Sequence, residues 1–177
     1  MGAPNPKGTR SFGNRRRLWV KSITDLEAMT VAEATALTSL DITLISYATS
    51  GRPGAEVTRG QSPRRLGGTT TLERRGQTNR TFGDLVYTYG PQKPDNDPAN
   101  VAYSKLKDFE EGFIVEFLGI PGEDDDWAPT ADDRYTVYPV ELGPQVESET
   151  GDAEGDEFAI TQAIFMAGEP IRGAVAA

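Results

Sequence analysis

Acidic clusters and arginine clusters are the groupings in this 177-residue sequence whose side chains could do chemistry. Glu123-Asp124-Asp125-Asp126 offers four carboxylates to a hard cation, but a contiguous run lacks the alternate spacing with which a calcium loop presents its ligands. Asp95-x-Asp97 starts such a loop and fails at Ala99. Asp152-x-Glu154-x-Asp156 also starts one, and carries Glu157 where the turn requires glycine. All three are read as solvated acidic loops. Gly51, Gly54 and Gly60 have the wrong spacing for a phosphate-binding loop and no Lys-Ser/Thr follows them. Any two of the 27 acids could converge as the carboxylate pair of a glycosidase, yet no spacing singles out such a pair.

The sequence contains no histidine and no cysteine. That removes the imidazole base, the thiolate nucleophile, the Cys/His zinc site and the disulfide framework. Acid-base chemistry would rest on carboxylates, lysine or tyrosine alone. The expectation is a protein that is not an enzyme and uses no metal or cofactor.

Arg15-Arg16-Arg17 and Arg64-Arg65 could contact nucleic-acid phosphates. Single-strand binding would also need aromatic platforms among them, and only Phe12 and Trp19 lie near. The net charge of -9 opposes DNA affinity further. These arginines, with Arg52 and Arg59, are therefore read as partners for an acidic surface on another copy of the chain, with Glu123, Asp124, Asp125 and Asp126 as that surface. The charge is also unevenly distributed. Residues 1–80 carry 13 Lys/Arg against 6 Asp/Glu, and residues 81–177 carry 5 against 21. Such an asymmetry fits complementary faces on a self-associating subunit, or two halves intermixed over one surface.

These groups are positioned by a mainly β chain. Arg134 to Gly143 alternates, with Tyr138, Val140 and Leu142 on one face and Tyr135 and Val137 on the other. Phe158 to Met166 answers it with Phe158, Ile160, Ile164 and Met166 at period two. The stretch from Pro144 to Glu157 between them is read as a long acidic loop, so the two strands form a long-armed hairpin or a Greek-key step. Pro139 places the first strand at a sheet edge or a bulge, because it has no N–H for a ladder. An apolar edge of that kind invites another chain.

Further strands are expected at 41–47, 69–74, 85–89 and 113–118. Thr30-Val31-Ala32-Glu33 reads as a capping box with Met29 stapled to Ala34, opening a helix over about 31–38 with Val31, Ala34 and Leu37 inward. Asp97 caps a second helix with Pro98 at N1 and Gly112 at C′, its stripe formed by Ala102, Leu106 and Phe109. Residues 48–68, rich in Gly, Pro, Ser and Arg, read as a long basic loop.

The length suits one domain. An extended arm is expected over 1–21 and a single β domain over 22–177. Residues 1–17 hold two prolines, three glycines and only Phe12 as a sizeable apolar group, so a neighbouring copy is expected to anchor them. No apolar run is long enough to span a membrane, and no signal-peptide core is present at the N-terminus. Retention inside the cell of synthesis, or signal-independent export, is expected.

The capping-box helix, the strand from Leu40 to Tyr47, the long loop, the Thr-rich strands, the helix near 99–111, the strand from Phe113 to Leu118 and the pair Arg134 to Val140 with Phe158 to Met166 together give a layout. It resembles the major tail tube proteins of long-tailed, non-contractile, siphovirus-like bacteriophages over about residues 24–175. The resemblance implies a β-sandwich or barrel-like tail tube fold with two short flanking helices, the long loop and the extended arm. It further implies hexameric rings stacked into a tube that conducts DNA from capsid to host without sequence-specific binding. The implied partners are further copies of the chain, a tape measure protein, a tail terminator and distal tail or baseplate proteins. The implied location is the virion tail, assembled in the host cytoplasm. Glu73, Glu116 and Glu141 are the residues on strands that could line such a lumen. A capsid decoration protein or a baseplate receptor-binding β-sandwich is the alternative.

Overall fold

The computed structural model describes residues 11, 13–48, 50–64, 66–123 and 127–176. Nine strands run through these residues: β1 Arg15–Val20, β2 Leu40–Asp41, β3 Pro53–Gln61, β4 Glu73–Phe82, β5 Leu85–Thr88, β6 Glu111–Leu118, β7 Arg134–Glu149, β8 Phe158–Met166 and β9 Ile171–Ala174. Two short helices, α1 Val31–Ala34 and α2 Val101–Lys105, accompany them. Seven strands form one curled, barrel-like antiparallel sheet in the order β2-β1-β6-β7-β8-β5, with β9 also paired to β7. β3 and β4 pair only with each other.

β7 organises the sheet, and its alternation divides the core in two. Tyr135 and Val137 join Leu18, Val20, Met29, Val115 and Phe117 on one face. Tyr138, Val140 and Leu142 join Trp19, Ile42, Tyr87, Leu106, Ile114 and Ile160 on the other. The period-two pattern thus translates directly into two buried layers.

Pro139 does not mark an edge. It lies opposite Phe113 of β6, while on its other side β7 exchanges β9, which pairs as far as Val137, for β8, which pairs from Val140. The Pro139 carbonyl accepts from Ala167 N at 2.9 Å on that side. Its missing N–H therefore falls where the partner changes and no strand bond is available. Pro144 is accommodated similarly, at the register shift between Leu142 and Gln145. β7 continues to Glu149, so the acidic connection is residues 150–157, and the long-armed hairpin is the arrangement found.

Several local expectations differ from the structure. The expected strand over 41–47 stops at Asp41, whose Oδ1 accepts Thr43 N at 2.8 Å and turns the chain. The capping box at Thr30 and Glu33 forms, but α1 ends at Ala34 and leaves Leu37 exposed. Asp97 accepts from Ala99 N at 3.0 Å and caps a 3-10 turn, Pro98–Asn100, that leads into α2. That helix ends at Lys105, and Phe109, with φ 59°, turns outward. Gly112 lies in β6 beneath the Trp19 ring instead of capping a helix. β1 takes residues 15–20 out of the expected arm and into the sheet between β2 and β6; residues 1–10 and Phe12 of that arm lie outside the described residues.

Candidate assembly surfaces

β1 turns the Arg15-Arg16-Arg17 run into three different environments, because successive side chains point to opposite faces. Arg17 Nε lies 3.0 Å from Glu116 Oε1 and its Nη1 donates to Ser50 O at 2.9 Å. Burial pushes the Arg17 pKa down and the Glu116 carboxylate pulls it back up. On the other face Arg16 donates to Pro121 O at 2.9 Å and to Asp41 Oδ2 at 3.1 Å, with its guanidinium 5.0 Å from the centre of the Trp127 ring. Both side chains are buried inside their own subunit. Arg15 alone of the three is substantially exposed, and it too reaches Glu116, at 3.4 Å. The expectation of a basic arm reaching another copy is therefore corrected for Arg16 and Arg17: their charges are satisfied by carboxylates and carbonyls brought to them by the sheet.

The expected basic loop is instead a two-stranded ribbon. β3 is exposed along its whole length and β4 along nearly all of it. β3 carries only a short alternation, Pro53, Ala55 and Val57 against Gly54, Glu56 and Thr58, all of it exposed, and backbone pairing with β4 holds it as a strand. Residues 52–82 hold seven arginines against two glutamates. Arg52 sits at the base, donating to Ala48 O at 3.2 Å. Arg59 faces Glu73 across the ribbon at 3.7 Å, both well exposed, a weak pair in high dielectric. Arg64 is exposed near the tip, and Arg65 lies outside the described residues. Arg74, Arg75 and Arg80 of β4 add to the same surface, a contribution visible in the sequence only once 53–61 is recognised as their partner strand.

The acidic residues also redistribute. Asp124, Asp125 and Asp126 lie outside the described residues. Glu123 lines a cleft of about 490 Å³ that Arg15, Arg17 and Arg52 also line. Glu116 is buried against Arg17 and is not on a surface of the subunit. Glu73 belongs to the ribbon. Glu141 lies directly opposite Glu111, on the same sheet face as exposed Phe165. Among the described residues an exposed acidic surface forms at the tip of the β7–β8 hairpin, where residues 147–157 hold six carboxylates and no cation. Among the described residues there is no cluster of three or more acidic side chains that could hold a metal.

The described residues thus present a basic ribbon and an acidic hairpin tip on one molecule. The family model for phage tail tube proteins matches residues 3–177. The chain belongs to the phage tail tube protein family. A tail tube protein is a structural component of the virion, and the ribbon and tip are surfaces of such a component. No curated protein matches the sequence. Among solved structures, a chain in the cryo-EM structure of the anti-feeding prophage (AFP) baseplate, 6-fold symmetrised, is similar at a TM-score of 0.47 and 10% identity, covering 97% of each chain.

Proposed function

We propose that this tail tube protein polymerises as stacked hexameric rings, of the long-tailed, non-contractile kind, into a tube that conducts DNA from capsid to host. The observation that carries the reading is the ribbon. The ribbon's 19 strand residues, all but Thr78 and Phe82 exposed, lie outside the sheet, and a two-stranded ribbon with no buried apolar face is marginal alone. Its net charge of +5 stands against -14 for the rest of the chain. A basic projection and an acidic body on one molecule are different, complementary surfaces, which associate heterologously into closed rings or open stacks.

In that arrangement the open edge for lateral pairing is the far half of β7. From Gln145 to Glu149 it pairs with β8 on one side, and no described strand pairs on the other. Glu111 and Glu141, beside exposed Phe165 on the face that Tyr135 and Val137 share, are the carboxylates that keep DNA from adhering. Further copies of the chain are the main partner. Tape measure, terminator and distal tail proteins meet the tube at its interior and ends, and assembly takes place in the host cytoplasm.

Negative-stain electron microscopy of the purified chain over a series of concentrations and salt strengths tests this. Rings or tubes with a central hole, shortening as salt screens the arginine contacts, are expected. A small monodisperse particle under every condition would overturn the proposal in favour of a decoration or receptor-binding module.

A further inference from the structure

Between the ribbon base and the sheet lies a groove of about 440 Å³. Its apolar side is formed by Leu118, Tyr138 and Met166, and Ala55, Arg80 and Arg172 line it as well. No carboxylate lines it. Glu169 reaches Arg80 only at 3.8 Å and is itself 85% exposed, so the pair is loose. Arg172 is exposed.

The acidic hairpin tip has the opposite chemistry and a fixed shape. Asp156 accepts from Ala153 N at 2.6 Å and from Thr150 Oγ1 at 3.2 Å. Glu157 N donates to Thr150 Oγ1 at 2.9 Å, and its carboxylate accepts from Tyr47 OH at 2.7 Å. These bonds hold the turn and leave Asp152 and Glu154 exposed and pointing to no described partner. A pre-shaped tip loses little conformational freedom when it docks.

Groove and tip belong to opposite ends of one strand. Tyr138, near the start of β7, lines the groove, and Glu149 ends the strand at the turn. At about 3.3 Å per residue, the stretch from Tyr138 to Glu149 spans roughly 35 Å. One molecule cannot close its own tip onto its own groove across that length. A second copy displaced along β7 can, and the contact repeats without closing.

Resting on the stacked-tube reading, we infer that the acidic β7–β8 tip of one subunit seats in the Arg80/Arg172 groove of an axially adjacent copy, with Asp152 and Glu154 meeting the two guanidiniums.

The absence of native cysteine makes the test direct. Full-length chains carrying Ala55→Cys and Ala153→Cys are mixed, assembled and oxidised with glutathione disulfide. A mixed disulfide dimer at least tenfold more abundant than either homodimer is expected. Arg80→Glu with Arg172→Glu on the groove chain should cut it about tenfold, and Asp152→Lys with Glu154→Lys on the tip chain should restore it. No excess of mixed dimer, or an excess indifferent to charge reversal, overturns the contact. Microscopy of the unmodified chain judges the tube separately. Tubes without the mixed disulfide remove only this contact, and the mixed disulfide without tubes removes only the tube.

Discussion

The Arg17 guanidinium and the Glu116 carboxylate meet at 3.0 Å between neighbouring strands β1 and β6, with 8% and 4% of their side chains exposed. Ser50 O takes a second Arg17 donor, and Arg15 approaches the same carboxylate oxygen. A buried pair is costly to break from one side, because the survivor keeps its charge without its partner. Glu116→Leu is therefore expected to destabilise the subunit by about 3–5 kcal/mol in urea unfolding, and the double change Arg17→Met with Glu116→Leu by clearly less. A double loss equal to the sum of the Arg17→Met and Glu116→Leu single losses would show that the pair is not energetically coupled.

Glu33 carries a pH signature. Its carboxylate accepts from Thr30 N at 2.8 Å and Thr24 N at 2.7 Å, and these backbone bonds hold its pKa at about 2, below the ordinary 4.5. The folded value is depressed, so the stabilisation is present above pH 4.5 and disappears as pH falls towards 2. Melting temperature followed across that window should drop less steeply for Glu33→Gln than for the unmodified chain. Parallel curves would remove the assignment.

The bulge that carries β7 past Pro144 rests on two glutamines. Gln145 Nε2 donates to Tyr87 OH at 2.8 Å and to Leu106 O at 2.8 Å. Gln162 Nε2 donates to Gly143 O at 2.9 Å while its Oε1 faces Tyr87 OH at 3.2 Å. Gln162→Leu leaves the Gly143 carbonyl unpaired in a fully buried site and is expected to cost about 1–3 kcal/mol. Amide exchange at Gln145 to Glu149 should accelerate in the same variant.

Gly112 is the floor on which the Trp19 indole rests. A Cβ there would stand 2.5 Å from Cη2 and 2.6 Å from Cζ2 of that ring. Trp19 is buried in the main core and has little room to retreat. Gly112→Ala should destabilise by about 1–3 kcal/mol and shift the tryptophan emission maximum.

For the ribbon, Arg64→Glu with Arg74→Glu should leave unfolding within about 0.5 kcal/mol of the parent, since both positions are exposed. Assembly should nevertheless fail, with tubes absent at concentrations where the parent forms them. Tubes of normal length would show that the ribbon cations do not hold the rings together.

Whatever depends on covalent neighbours was legible in the sequence. The Thr30/Glu33 capping box, the Asp97 cap and the alternation of Tyr135 to Leu142 all formed as their spacing demanded, because a cap or a strand face is set within a few residues. The lack of histidine and cysteine was equally decisive, since no fold can supply missing chemistry. Long-range pairing decided the rest. Arg17 and Glu116 are 99 residues apart, and only the β1–β6 register makes a buried pair out of what looks like a basic arm and a lumen residue. The short apolar alternation of β3 is broken by Arg59 and Gly60 and buries nothing, so pairing with β4 makes it a strand. Pro139 is tolerated in a central strand because β7 changes neighbours there, a fact about three other segments of chain. The opposed placement of basic groove and acidic tip likewise comes from the length and register of β7 within the folded sheet, which no local pattern contains.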